Sequence, residues 1–174
     1  MAFLSPYRVL DLTNERGLLA GKIFADLGAD VIQVEPVDGS SARKIGPFYK
    51  DGPHKGNSLF WEAYSSNKRG VACDLDKEEG RELFLKLCEK ADFLFESELP
   101  GVMERRGLSY EDIKKVNPNL IYVSITPFGS EGPKSEYAES DLVLWAAGGA
   151  LYPNMENNRP PVRVVLPQSY MHAA

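Results

Sequence analysis

The chain is short of the residues from which several kinds of site are built. Cysteine occurs only as Cys73 and Cys88 among 174 residues, each inside an apolar segment and without a CxxC spacing. A disulfide framework or a zinc centre therefore has no material, and both cysteines read as buried thiols. Histidine also occurs twice, as His54 in a polar loop and His172 near the end. That is too little for a histidine-based triad or a metal site, so no metal is expected and both imidazoles read as solvated. No stretch approaches the roughly 18–20 consecutive apolar residues that a bilayer crossing needs. The first residues, MAFLSPYRVLDL, run into a strand pattern with no charged leader or cleavage site, so the expectation is a soluble, cytoplasmic protein with no membrane partner. A basic excess is missing as well: 20 Lys and Arg stand against 25 Asp and Glu, a formal net charge of -5. Nothing here invites a polyanion, and nucleic acid is not an expected partner.

What remains is ordinary globular material. Apolar residues make up 43% and charged residues 26%, with no internal repeat, low-complexity run or block of one charge. The length suits a single domain. Apolar runs of strand length recur at Arg8 to Leu12, Asp30 to Val34, Gly70 to Asp74, Ala91 to Phe95 and Leu120 to Ile125, with helical period between several of them. That alternation predicts an α/β fold with a mainly parallel sheet, helices on both faces and right-handed crossovers. Gly17 to Leu27 places Leu19, Ile23, Phe24 and Leu27 on one expected inner face and ends at Gly28, which suits the left-handed position after a helix. Glu78 to Glu89 carries acids in its first turn and an expected inner stripe of Leu83, Leu87 and Cys88.

Two segments break the pattern. Pro36 to Asn57 is rich in Gly, Pro and Ser, and long for a connection inside a compact domain. Pro127 to Glu139 follows the fifth strand, at the strand end where open α/β sheets bind ligands. GLLAG, from Gly17 to Gly21, lacks the G-x-G-x-x-G spacing and implies no phosphate turn. Trp61, Trp145, Phe60, Tyr64 and Tyr152 are either walls of an apolar pocket or core residues.

Four stretches in order carry a resemblance: VLDLTNERGLLAGKIFADLGADVIQVEP, NKRGVACDLDKEEGRELFLKLCEKADFLFES, LPGVMERRGLSYEDIKKVNPNLIYVSITPFGSEGP and SDLVLWAAGGALY. Together they resemble the class III CoA-transferases, the group of formyl-CoA transferase, carnitine CoA-transferase and alpha-methylacyl-CoA racemase. The match runs from about Val9 to Pro167, whereas members of the family are about twice as long. The resemblance therefore implies that residues 1–174 are the N-terminal part of a Rossmann-like large domain. The small domain and the returning segment are absent from this chain, and the whole protein is expected to form an interlocked-ring dimer or to pair with a homologous subunit. It further implies acyl-CoA and a carboxylic acid as substrates, with no covalently bound cofactor.

The family's chemistry uses an Asp carboxylate that attacks the thioester, about ten residues after a Pro-Pro pair. Here PPVRVVLPQSYMHAA puts Tyr170 in that slot, with no acid between Pro160 and Ala174. The chain alone is therefore expected to be inactive, and two readings of the whole protein stay open: a CoA-transferase whose nucleophile is another carboxylate or comes from another chain, or the non-catalytic acyl-CoA-binding or pairing half of a tandem or heteromeric transferase. Asp141 is the acid best placed by the resemblance to line the CoA cleft, its other reading being a cap for the following helix, with Ser140 as an alternative cap. Racemases of the family carry His where Ser140 stands, which argues against racemization. For CoA, the resemblance implies Glu15 and Arg16, Cys73 to Asp76, Ser97 and Glu98, and Arg105. Arg105 is either a bidentate partner for phosphate or a helix-surface arginine paired with an acid.

Overall fold

The computed structural model describes residues 2–49, 56–152, 156–162 and 168–173. Five strands form one sheet: β1 (Arg8–Asp11), β2 (Asp30–Glu35), β3 (Arg69–Ala72), β4 (Phe93–Glu96) and β5 (Ile121–Ser124). All pairings are parallel, in the order β3-β2-β1-β4-β5. This is the doubly wound, Rossmann-like arrangement expected, and its order reverses between β1 and β4, the position at which such sheets open a crevice.

Alternation along the strands divides the interior into two layers. Leu10, Ile32 and Leu94 face one side, where α3 (Glu78–Cys88) brings Phe84 and Cys88 and α5 (Tyr110–Val116) brings Ile113. Val9, Val31 and Phe95 face the other side, under Ala25 of α1 (Leu18–Asp26). Phe24 packs edge-on against Phe93 and Phe95 at ring separations of 5.2 and 5.1 Å. Burial in the layer under α3 and α5 pushes the Cys88 thiol up to about 12, and Cys73 is likewise a buried thiol.

The helices start and stop for local reasons. Ser109 accepts from the Asp112 amide while Asp112 reaches back to Ser109, a complete capping box for α5. Gly28 follows α1 at φ +99°, the left-handed residue expected there. Two expected faces are corrected. In α1 the buried residues are Leu18, Gly21 and Ala25, whereas Ile23 and Leu27 are 45% and 44% exposed. Small residues won the inner face because the helix sits almost on the Asp11 carboxylate: a Cβ on Gly21 would lie 1.9 Å from Asp11 Oδ2. In α3 Cys88 is buried and Leu87 packs against the same core as expected, but Phe84 is buried with them and Leu83 faces outward.

The remaining elements surround the strand ends. They are one 3-10 turn (Ser41–Lys44), α2 (Leu59–Ser65), α4 (Val102–Arg105), α6 (Asp141–Ala147) and α7 (Ser169–Ala173). Arg43 closes the segment after β2 by donating to both Glu35 oxygens at 2.6 and 2.8 Å and lying 3.9 Å above the Trp61 ring. Among the described residues no helix is long and apolar enough to cross a membrane.

Candidate active site

Beneath the crevice lies a buried polar knot. Lys68 donates to Asp11 Oδ2 at 2.8 Å, to the Leu18 carbonyl at 2.8 Å and to Gln33 Oε1 at 3.1 Å. The Lys68 and Asp11 side chains are 1% and 0% exposed. The other Asp11 oxygen accepts from the Thr13 amide and hydroxyl, and Gln33 Nε2 donates to the carbonyls of Asp11 and Thr13. Burial lowers the Lys68 pKa against the pull of Asp11. The knot holds the turn after β1 against α1, which sets where Asn14, Glu15 and Arg16 stand.

Ser97 completes that turn. Its hydroxyl accepts from the Asn14 amide at 3.0 Å and donates to Asn14 Oδ1 at 3.1 Å, and the side chain is buried. The Ser97 carbonyl accepts from Arg16 at 3.1 Å. Arg16 is thereby carried from the switch point into a cavity of about 480 Å³. Ile125, Pro127 and Phe128, beyond β5, form one wall, Leu144 and Trp145 of α6 another, and Ser169, Tyr170 and His172 of α7 the third.

Tyr170, which the sequence puts where the resemblance expects an Asp, is hydrogen-bonded. The Tyr170 hydroxyl donates to Glu139 Oε2 at 2.8 Å, while Arg16 contacts Glu139 Oε1 at 2.7 and 2.9 Å. Glu139 is the acid nearest to Tyr170 in these contacts, and both of its oxygens are spent. Burial, and then Glu139 itself, push the Tyr170 phenol well above its ordinary range, so it stays protonated. Asp141 is buried at the start of α6, and its Oδ1 accepts from the Ser169 amide at 2.9 Å and hydroxyl at 2.6 Å. It is not the helix cap: Ser140 accepts from the Val143 amide in that role. Asp141 Oδ2 has no hydrogen-bond partner among the described residues.

The other residues named from the sequence lie elsewhere on the crevice. Cys73, Asp76 and Glu98 line a second cleft of about 570 Å³ with Leu12, Val34 and Arg106. The Cys73 thiol donates to the Gly80 carbonyl at 3.1 Å. Arg105 faces solvent at the rim of a separate depression, beside Arg81 and Arg106. The arginine that forms the ion pairs is Arg106, 2.7 Å from Asp76 and 3.0 Å from Glu98. So Arg16, Ser97, Asp141 and Tyr170 come together, Cys73 belongs to the neighbouring cleft, and Arg105 stands outside both. His54 lies outside the described residues. No cluster of three or more potential metal ligands occurs among the described residues.

Glu139 and the Lys68 knot were not identified from the sequence. Glu139 ends a polar segment with no periodicity, and its partner Arg16 is 123 residues away. Lys68 stands in a polar NKR run that reads as a solvated turn, and the only signal in the sequence is that the run lies within a stretch typical of the family.

A parallel α/β sheet with its cavities at the strand C-termini defines a crevice-binding protein of the doubly wound class. More narrowly, the chain belongs to CoA-transferase family III, whose family model matches residues 4–174. It is 43% identical over 169 residues to the succinyl-CoA:(R)-benzylsuccinate CoA-transferase subunit BbsE of Thauera aromatica, covering 97% of this chain and 41% of that protein. It is 37% identical to the acetyl-CoA:oxalate CoA-transferase of Acetobacter aceti, covering 90% of this chain and 39% of that one. A CaiB/BaiF family protein from Brucella suis superposes with a TM-score of 0.90 at 33% identity, over 99% of this chain and 47% of the other. The chain thus spans under half the length of these relatives.

Proposed function

We propose that the protein takes part in moving CoA between an acyl-CoA thioester and a free carboxylic acid, and that this chain lines the acyl cavity without supplying the nucleophile. The observation that carries the first part is an apolar cavity beside the family's nucleophile slot, at the strand ends where this fold class holds its ligands. Membership of the family supports the thioester as substrate. The second part rests on the contacts of Tyr170. A thioester-attacking carboxylate needs an unspent oxygen in a site shielded from water, and Glu139 has none. Asp141 does have a free oxygen, but its other oxygen clamps α7 through Ser169, and it is absent from the residues lining the cavity.

The attacking Asp then comes from a paired chain, in a dimer with a homologous subunit. The Thauera relative is itself named a subunit, which supports pairing. Arg16 and Ser97 shape the CoA-facing turn, and Cys73, Asp76, Glu98 and Arg106 the adjoining cleft. Arg105, solvent-exposed beside it, is available to phosphate.

The test is mass-spectrometric detection of CoA exchange between acyl-CoA thioesters and isotopically labelled acids. This chain alone is expected to show no exchange, and exchange is expected to appear when a homologue bearing the slot Asp is added. Exchange by this chain alone, abolished by Asp141→Ala, would instead make Asp141 the nucleophile.

A further inference from the structure

Among the described residues, the cavity beside Tyr170 is lined by one permanent cation, which its own neighbour has neutralised. From this we infer that Glu139 is a specificity-determining residue: by engaging Arg16 it makes the site one for a neutral, apolar acyl group, ring-bearing or branched, and against an acyl group that carries a second carboxylate. The inference rests on the reading of this cavity as the acyl site.

The argument counts donors. A carboxylate taken into an apolar cavity loses its hydration and must find charged or multiple partners there. Among the described residues, Arg16 is the only permanently charged one lining this cavity. Its guanidinium is committed to Glu139 Oε1 and to the Ser97 carbonyl. The Glu139 side chain is 8% exposed, so water screens the pair little and the two charges cancel at short range. The Tyr170 hydroxyl donates to Glu139 and the Ser169 hydroxyl to Asp141. His172 is exposed, its ring 5.6 Å from that of Trp145. What remains among the described lining residues is neutral: the Thr126 hydroxyl, and Trp145 Nε1, buried and without a partner among the described residues. Neutral donors suit a carbonyl oxygen and do not replace the shell of a carboxylate. The walls of Ile125, Pro127, Phe128, Leu144 and Trp145 offer apolar surface, and about 480 Å³ is more room than an acetyl group fills.

Isothermal titration of the purified protein with 3-phenylpropanoyl-CoA and with succinyl-CoA tests this, and the pair of free acids, which need no nucleotide site, repeats it. The aryl ligand is expected to bind at least about tenfold more tightly in both pairs, the cost of leaving a buried charge with only neutral partners. Glu139→Gln frees the guanidinium and is expected to narrow that ratio about tenfold. The aryl-to-succinyl ratio of the unaltered protein is a readout independent of whether Glu139→Gln folds. Equal or tighter binding of the succinyl ligands to the unaltered protein would overturn the inference, as would an unmoved ratio in folded Glu139→Gln. An aryl preference among the free acids with no binding of either thioester would support the cavity assignment and count against the transferase reading alone.

Discussion

Lys68 places an ammonium group in the interior with three acceptors around it, so its removal does more than delete a contact. Lys68→Met would strand the Asp11 carboxylate, which is wholly buried, and would free the Gln33 amide oxygen. Breaking one side of a buried pair costs about 3–5 kcal/mol, a large share of the stability of a chain this size. The expected outcome is a steep fall in urea midpoint or loss of folded protein. A change under about 1 kcal/mol would mean that the knot is not closed as described. Glu96 offers a second test, by pH. Burial, outweighing the hydrogen bonds from Ser124 and the Glu98 amide, raises its pKa. A raised folded pKa stabilises the fold below the ordinary Glu range, and that contribution is lost as pH rises through the folded value. Thermal melts of Glu96→Gln should therefore match the parent near pH 4 and exceed it increasingly towards pH 7, ordinary Glu titrating at about 4.3. A difference independent of pH would contradict the assignment.

At the scale of elements, α1 shows where a pattern of hydrophobicity stops being a guide. Replacing Gly by Ala in an exposed helix gains up to about 1 kcal/mol, but at Gly21 the new methyl would meet Asp11 Oδ2 at 1.9 Å and Lys68 Nζ at 3.1 Å. Both groups are pinned, so overpacking of about 1–3 kcal/mol is expected to win, and Gly21→Ala should lower the thermal midpoint. A raised midpoint would show that the helix can lift. The same residues explain what could be read beforehand. The five strands followed from apolar runs of strand length and the long helices from period-3.6 patterns, and each strand was found within two residues of its expected bounds. The inner face of α1 could not be read, because hydrophobic ranking favours Ile23 and Leu27 over Gly21 and Ala25, while the distance of closest approach to Asp11 is a property of the packed sheet. The site divided along the same line. That Tyr170 stands where the resemblance expects an Asp could be read from one segment of sequence. Its bond to Glu139, and the pairing of Glu139 with Arg16, join three segments that only the fold brings together. Arg105 and Arg106 are adjacent in the chain, and the turn of α4 decides which of them meets Asp76 and Glu98.

For the whole molecule, the crevice between β1 and β4 gathers the turn after β1, the segment beyond β5 and helices α6 and α7 around one apolar cavity. Every carboxylate oxygen bonded to α7 is spent on it, and no acid stands in the slot itself. On the function proposed above, binding and attack are separate: this chain walls the acyl group, and another chain brings the carboxylate. The covalent stage of the reaction separates the two most directly. The protein would be incubated with acyl-CoA and a homologue bearing the slot Asp, and the intact mass of each chain recorded for a trapped CoA thioester on a carboxylate. The adduct is expected on the partner chain and not on this one. An adduct on this chain, at Glu139 or Asp141, would contradict the central claim.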